Sequence, residues 1–412
     1  MQLGHRRASG LQIDRRALVD TARELVNISS PTGDEHGVAE YLARTFHELG
    51  MHVQWQEVEE GRPNVLGTWR GTGGGKTLMF NGHMDTSYSG REPWLGGRGF
   101  RPEARVEGEY LYGLGISNMK GALACYVEAV RALQGAGVRL KGDLLVAAVV
   151  GEIEKTQWGE EYRGKEYRGY AAGSRHLVTH GGVADMCVLG EPTEGRIVLG
   201  HYGSIWLRLS TRGPFVHTAF SGGRSEENSI LRMREVLDAV LEWIPEWQAR
   251  TSYGGKPGVV NVGAVRGGFP WRVSRTPSRT DLFLDVRVPP TMPMAEARGA
   301  LAEWVGSLRE RYPNHGLDWE IYVTAPGAEI AEDHELVRAL DASHTEVFGR
   351  TPERDTVRWF SDASVLTRYG IPTVNYGTSS GLPGAEGENL EIKGLVDTAH
   401  VYALTAQRVC GL

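Results

Sequence analysis

Four short apolar runs constrain this chain more than any other feature. "KTLMFNGH", "DLLVAAVVGE", "DMCVLGE" and "PTVNYGT" are rich in β-branched and aliphatic residues, and helical patterns lie between several of them. Such runs predict buried strands, and strands alternating with helices predict an open α/β sheet. Each run also ends in polar residues: His83 with Asp85, Glu152, Glu191, and Asn375 with Thr378. In open α/β sheets ligands bind beyond the carboxyl ends of the strands, so these endings predict one shared crevice.

Around this sheet the chain divides into two kinds of texture. Residues 14–29 and the stretch ending at Gly50 carry helical spacing, with Asp14 as a predicted N-cap. From 197 to 310 two strands, a long amphipathic helix, two further strands and a second helix follow one another. That order predicts an α+β domain (197–310) inserted into a catalytic α/β domain made of 1–196 and 311–412. A length of 412 residues suits two domains. Residues 156–173, "TQWGEEYRGKEYRGYAAG", read as a long aromatic loop, and Asp362 in "FSDAS" reads as the N-cap of the next helix.

Charge and cysteine usage narrow the partners. A net charge of -6 argues against nucleic acid or an anionic membrane. No stretch reaches the roughly 20 apolar residues of a membrane span, and "MQLGHRRASGLQIDRRAL" has no apolar run to act as a secretory signal. The three cysteines, Cys125, Cys187 and Cys410, are scattered, which points to a reducing, cytoplasmic setting.

The strand endings carry the chemistry. On an extended backbone His83 and Asp85 face the same way, and a carboxylate beside a histidine fixes the ring for metal binding. Histidine and carboxylates from separate strand ends can hold an ion with an open position for water, and a further glutamate can deprotonate that water.

"SPTGDE", "NGHMDT", "LYGLGISNMKGALA", "VVGE", "VLGEPT", "RGPFVHTAFSGGRSEENSI", "LDVRVPP" and "FSDASVLTRYGIPTVNYG" occur in one order over nearly the whole chain. In this the chain resembles the acetylornithine deacetylase, succinyl-diaminopimelate desuccinylase and glutamate carboxypeptidase family. The resemblance implies a catalytic domain with a mixed, mostly parallel sheet flanked by helices. It also implies an inserted ferredoxin-like lid through which the chain forms a homodimer. His83 and Glu191 match metal ligands, Asp85 the aspartate supporting the histidine, and Glu152 the general base. His217 matches the lid histidine that steadies the oxyanion across the dimer, Arg287 a substrate-carboxylate ligand that alternatively makes a plain surface ion pair, and Asn228 a substrate contact that alternatively caps the lid helix.

Three departures stand out. Asn118 occupies the place of the aspartate that bridges two metals, Ile153 that of a second-metal glutamate, and the last family histidine is missing from "SGLPGAEGENLEIKGLV". Too few anionic ligands remain for two ions. One divalent ion per subunit is expected, zinc or else manganese or cobalt, on His83 and Glu191 with Asn118 or Glu154. The expected activity is hydrolysis of a C–N bond in a small carboxylate-bearing substrate such as an N-acyl amino acid or peptide. The alternatives are deamination of an amino-aromatic acid, with Trp158, Tyr162, Tyr167, Tyr170 and Trp359 forming a flat pocket, or binding without turnover.

Overall fold

The computed structural model describes residues 10–156, 168–222, 224–378, 381–382 and 386–412. They fall into two compact units, Met1–Leu199 with Glu329–Asp355 and Ser361–Leu412, and Gly200–Ala328 with Thr356–Phe360.

In the first unit the strands Leu144–Val149, Leu78–His83, Met186–Leu189 and Thr373–Asn375 lie side by side and parallel. Arg62–Trp69 and His52–Glu59 extend one edge in antiparallel fashion. The parallel strands are buried on both faces, which is why they read as continuous apolar runs. On one face Phe80, Val146, Val188 and Val374 pack with the helices Gly121–Gly135 and Ile392–Cys410. Alternate residues, among them Asn81, Leu189 and Asn375, point to the other face, where the helices Ala172–Thr179 and Ala363–Arg368 lie.

Two glycines set the spacing at the strand ends. A Cβ on Gly82 would come within 2.8 Å of Met119, and one on Gly190 within 2.4 Å of the Tyr126 hydroxyl. Their absence lets the helix Gly121–Gly135 approach beside His83 and Glu191. At the other end of the chain order, the helix Arg15–Asn27 is capped by the Asp14 carboxylate, which accepts from the Arg16 and Ala17 amides.

The second unit is a four-stranded antiparallel sheet in the order Val260–Gly267, Arg279–Val288, Gly203–Arg212, Asp318–Ala325. The helices Ser229–Arg250 and Met294–Arg311 cover it around a core that includes Leu207, Val236, Leu284 and Leu301. The sequence reading closed this insert at 310. Asp318–Ala325 instead pairs with Gly203–Arg212 from Asp318 opposite Ser210 to Ala325 opposite Ser204, so the unit runs on to 328. That strand is only half-buried and lacks the apolar signature of the others. No helix among the described residues is long and apolar enough to cross a membrane.

Candidate active site

The strand Leu78–His83 delivers His83, the loop after Leu144–Val149 delivers Glu152, and the loop after Met186–Leu189 delivers Glu191. All three are buried, and a ligating atom from each lies within 4.8 Å of the others. His83 Nε2 is 3.9 Å from Glu152 and 3.8 Å from Glu191. It sits 2.8 Å from Asn118 Oδ1. The Asn118 side chain is aimed by its own backbone, because the Ser117 and Asn118 amides donate to Glu388 Oε2 at 3.0 and 3.1 Å.

Asp85 holds the histidine from behind. His83 Nδ1 is 2.9 Å from the Asp85 carbonyl and 3.4 Å from its carboxylate. That carboxylate also accepts from Thr32 Oγ1 at 2.9 Å and from the amides of Glu152 and Ile153 at 3.1 and 3.2 Å. One aspartate therefore fixes both the His83 ring and the turn that carries Glu152.

The electrostatics are those of crowded carboxylates in a dry cleft. Burial alone would lower the His83 pKa, but Asp85, Glu191 and Glu152 together hold it well above its ordinary value. Burial, reinforced by Glu191, pushes Glu152 well up. Burial pushes Glu191 to about 7 against the pull of His83. Asp85 is the exception: burial opposes its charge, yet His83, the Glu152 amide and Thr32 keep it below the usual carboxylate range.

These residues fit a divalent cation. Glu191 Oε1 is buried with no hydrogen-bond partner among the described residues. His83 Nε2 faces only oxygens, so a metal can take the place of its proton. The donor set of one imidazole, carboxylates and an amide oxygen suits zinc, manganese or cobalt.

The other expected site residues divide. Glu154 lies outside the His83–Glu152–Glu191 group. The strand ends at Val149, so 152 and 154 sit in a turn where period-two alternation does not apply. Asn228 caps the helix Ser229–Arg250, its Oδ1 accepting from the Ile230 amide at 2.9 Å, as the capping alternative expects. Arg287 is mostly buried and grips Asp285 Oδ2 through Nε and Nη2 at 3.0 and 2.7 Å. His217 in the second unit accepts from the Ala219 amide on Nδ1 at 3.2 Å, which leaves Nε2 to carry a proton.

Of the aromatic set, Trp158, Tyr162 and Tyr167 lie outside the described residues. Tyr170 is buried, and Trp359 stacks near His201 in the second unit.

Sequence reasoning missed three buried groups here. Asp362 does not cap its helix: its backbone is already helical at φ -57°, ψ -17°, and its carboxylate makes no capping bond. It is buried instead within electrostatic reach of Glu152 and Glu191, and burial pushes it to about 6. Lys120 is also buried, donating to the Ile28 carbonyl at 2.7 Å, and burial lowers its pKa to about 7. Arg62, the first residue of its strand, is fully buried against Glu35, and nothing in the neighbouring sequence signals that pairing.

Comparison with known proteins adds a relationship to this geometry. The sequence profile of Peptidase family M20/M25/M40 matches residues 79–408. The chain is 26% identical over 398 residues to the N-formyl-4-amino-5-aminomethyl-2-methylpyrimidine deformylase of Bacillus subtilis, covering 88% of this chain and 87% of that one. It is 26% identical over 418 residues to the succinyl-diaminopimelate desuccinylase of Gluconacetobacter diazotrophicus, covering 95% and 96%. Among solved structures, the aminopeptidase PepT of Bacillus cereus superposes with a TM-score of 0.72 at 22% identity, covering 96% of this chain and 99% of that one, a likeness of fold.

Proposed function

This chain belongs to peptidase family M20/M25/M40, and from that premise we propose that it removes a small acyl group from an amine, using one divalent ion per subunit. It is a metal-dependent amidohydrolase. The observation carrying the one-ion reading is the buried His83–Glu152–Glu191 group, the single such group among the described residues, with the neutral Asn118 amide against the histidine. Ile153 contributes only its backbone amide, to Asp85, and adds no charge. The acyl-amine reading draws on the deformylase and desuccinylase relatives.

A bound divalent ion supplies Lewis acidity to the amide carbonyl and acidifies water. Glu152, in a dry pocket that raises its pKa, is suited to take a proton from the attacking water. It then returns that proton to the leaving nitrogen. Asp85 keeps His83 oriented throughout. The His217 Nε2 proton is the donor we assign to the developing oxyanion.

The chain is proposed to act as a cytoplasmic homodimer that pairs through its second unit. Three buried free cysteines accord with a reducing compartment. The test is a chelator-stripped protein reloaded with zinc, manganese or cobalt and offered N-formyl, N-acetyl and N-succinyl amines. Metal-dependent release of the carboxylic acid supports the reading, whereas ammonia release from an aminobenzoate with no acid release from any amide would replace it.

A further inference from the structure

The segment "SPTGDE", residues 30–35, lies in the connection between the helices Arg15–Asn27 and His36–Glu48, and it is fastened to the chain just beyond His83. The Thr86 amide donates to the Ser30 carbonyl at 2.8 Å, and the Thr32 amide donates to the Thr86 carbonyl at 3.2 Å. Pro31 and Thr86 thereby form a parallel bridge. Ser30 Oγ adds a bond to the Met84 carbonyl at 2.7 Å. This pairing sets the Thr32 side chain against Asp85, and its hydroxyl donates to Asp85 Oδ2 at 2.9 Å. Ser30, Thr32, Asp85 and Thr86 are each at most 2% exposed, so bulk water does not compete for these bonds.

The geometry settles what the hydroxyl does. A charged carboxylate can only accept, so Thr32 is the donor. The alternative acceptor, the Thr86 carbonyl, is farther away at 3.5 Å. The Asp85 carboxylate has four neighbours, two on each oxygen. Oδ1 faces the Glu152 amide at 3.1 Å and His83 Nδ1 at 3.4 Å. Oδ2 faces the Ile153 amide at 3.2 Å and the Thr32 hydroxyl at 2.9 Å. The contact with Thr32 is the shortest of the four. The other three come from groups that Asp85 itself has to place, namely the histidine ring and the turn carrying Glu152. Among the described residues, Thr32 is the one side chain that holds this carboxylate from outside the site.

We propose that Thr32 is a positioning residue. By fixing the rotation of the Asp85 carboxylate, it sets the His83 ring for the divalent ion and the Glu152 turn for the attacking water together. A carboxylate free to rotate would satisfy the two amides and lose the ring, or the reverse. Thr32 is itself held in place, because Glu35 accepts from the Gly33 amide at 3.1 Å and is gripped by the buried Arg62. The proposal rests on the metal site described under Proposed function, so its test reads metal binding apart from turnover.

The experiment compares Thr32→Val, which keeps the shape and removes the donor, with Thr32→Ser, which keeps the donor. Zinc affinity is measured on chelator-stripped protein by competition with a chromophoric chelator. Valine should weaken zinc binding about tenfold, the lower end for groups that orient a metal ligand. With zinc saturating, it should lower kcat and leave KM near the wild-type value, and serine should restore most of both losses. Thr32→Ala removes the donor with less crowding and keeps the test open if the valine chain does not fold. A lower Tm of the stripped valine protein with unchanged zinc affinity would make Thr32 structural and overturn the proposal. So would a serine variant as impaired as valine. Weakened zinc binding in valine, with no amide cleaved by the wild type, supports the positioning role and counts against the acyl-amine reading instead. A wild type that binds no divalent ion overturns both.

Discussion

At the scale of single residues, the site is a competition between burial and charge. Glu152 is the proposed general base, so Glu152→Gln should cut kcat by ~10²–10⁴-fold. The same change removes a repelled, buried carboxylate, so Tm should hold or rise; a calorimetric loss of stability would show that the residue is structural. Glu191 argues a pH effect for the metal-stripped protein. Its pKa rises from 4.5 unfolded to about 7 folded, so across that interval the folded chain holds a proton that the unfolded chain has released. Stability therefore falls as pH climbs from about 4.5 to about 7. Glu152 shifts in the same direction, and His83, raised above 6.5, loses its contribution as pH rises further. Asp85 has the opposite sign, but it matters only below its ordinary 3.8. Urea melts of stripped protein from pH 5 to 8 should show this decline, and saturating zinc should flatten it. Asn118 and Ile153 test stoichiometry: Asn118→Asp with Ile153→Glu should raise bound zinc from one to two ions per chain by elemental analysis. His83, Glu152 and Glu191 were legible because each ends an apolar run. Asp362 was not, because a short polar residue before a helix looks like a cap whether or not its carboxylate turns inward.

At the scale of elements, the catalytic loops are braced by a contact that local sequence does not announce. Arg62, on the strand Arg62–Trp69, is wholly buried and holds Glu35 through Nε and Nη2 at 2.9 and 2.7 Å. It also reaches Glu59 at 2.7 Å and the Arg168 carbonyl at 3.1 Å. Glu35 in turn accepts from the Gly33 amide, and Thr32 beside it donates to Asp85. Strand, loop and histidine support are thus one connected run. Replacing Arg62 by Met leaves Glu35 buried without its partner, which should cost about 3–5 kcal/mol, while Arg62→Met with Glu35→Leu should recover much of that loss. Denaturant titration of both variants decides it; equal losses would mean that the bridge is not what holds the loop. The parallel strands could be read from sequence because burial on both faces makes them uniformly apolar. The strand Asp318–Ala325 could not, because its residues are half-exposed and its place is fixed by pairing with residues more than a hundred positions earlier.

For the whole molecule, the second unit carries the surface that a lone subunit would leave wet. Val260–Gly267 is an edge strand of its sheet, with Val265 exposed, and the nearby Trp271 and Val273 are 77% and 82% exposed. Open edges with apolar side chains invite pairing with another chain. A homodimer through this unit should therefore weigh about twice 45.2 kDa by light scattering, and Val265→Lys should bring it to the monomer mass with the fold intact. A wild type that is monomeric at micromolar concentration would end this reading. Association also bears on catalysis if His217 serves the partner's substrate. Glu152→Gln and His217→Ala chains should each be inactive alone. Co-expressed, half of their dimers are mixed, and each mixed dimer pairs an intact Glu152 with an intact His217 from the other subunit at one of its two sites. Activity should then return to about a quarter of wild type. If both residues act within one subunit, every site in the mixture lacks one of them, and no activity returns.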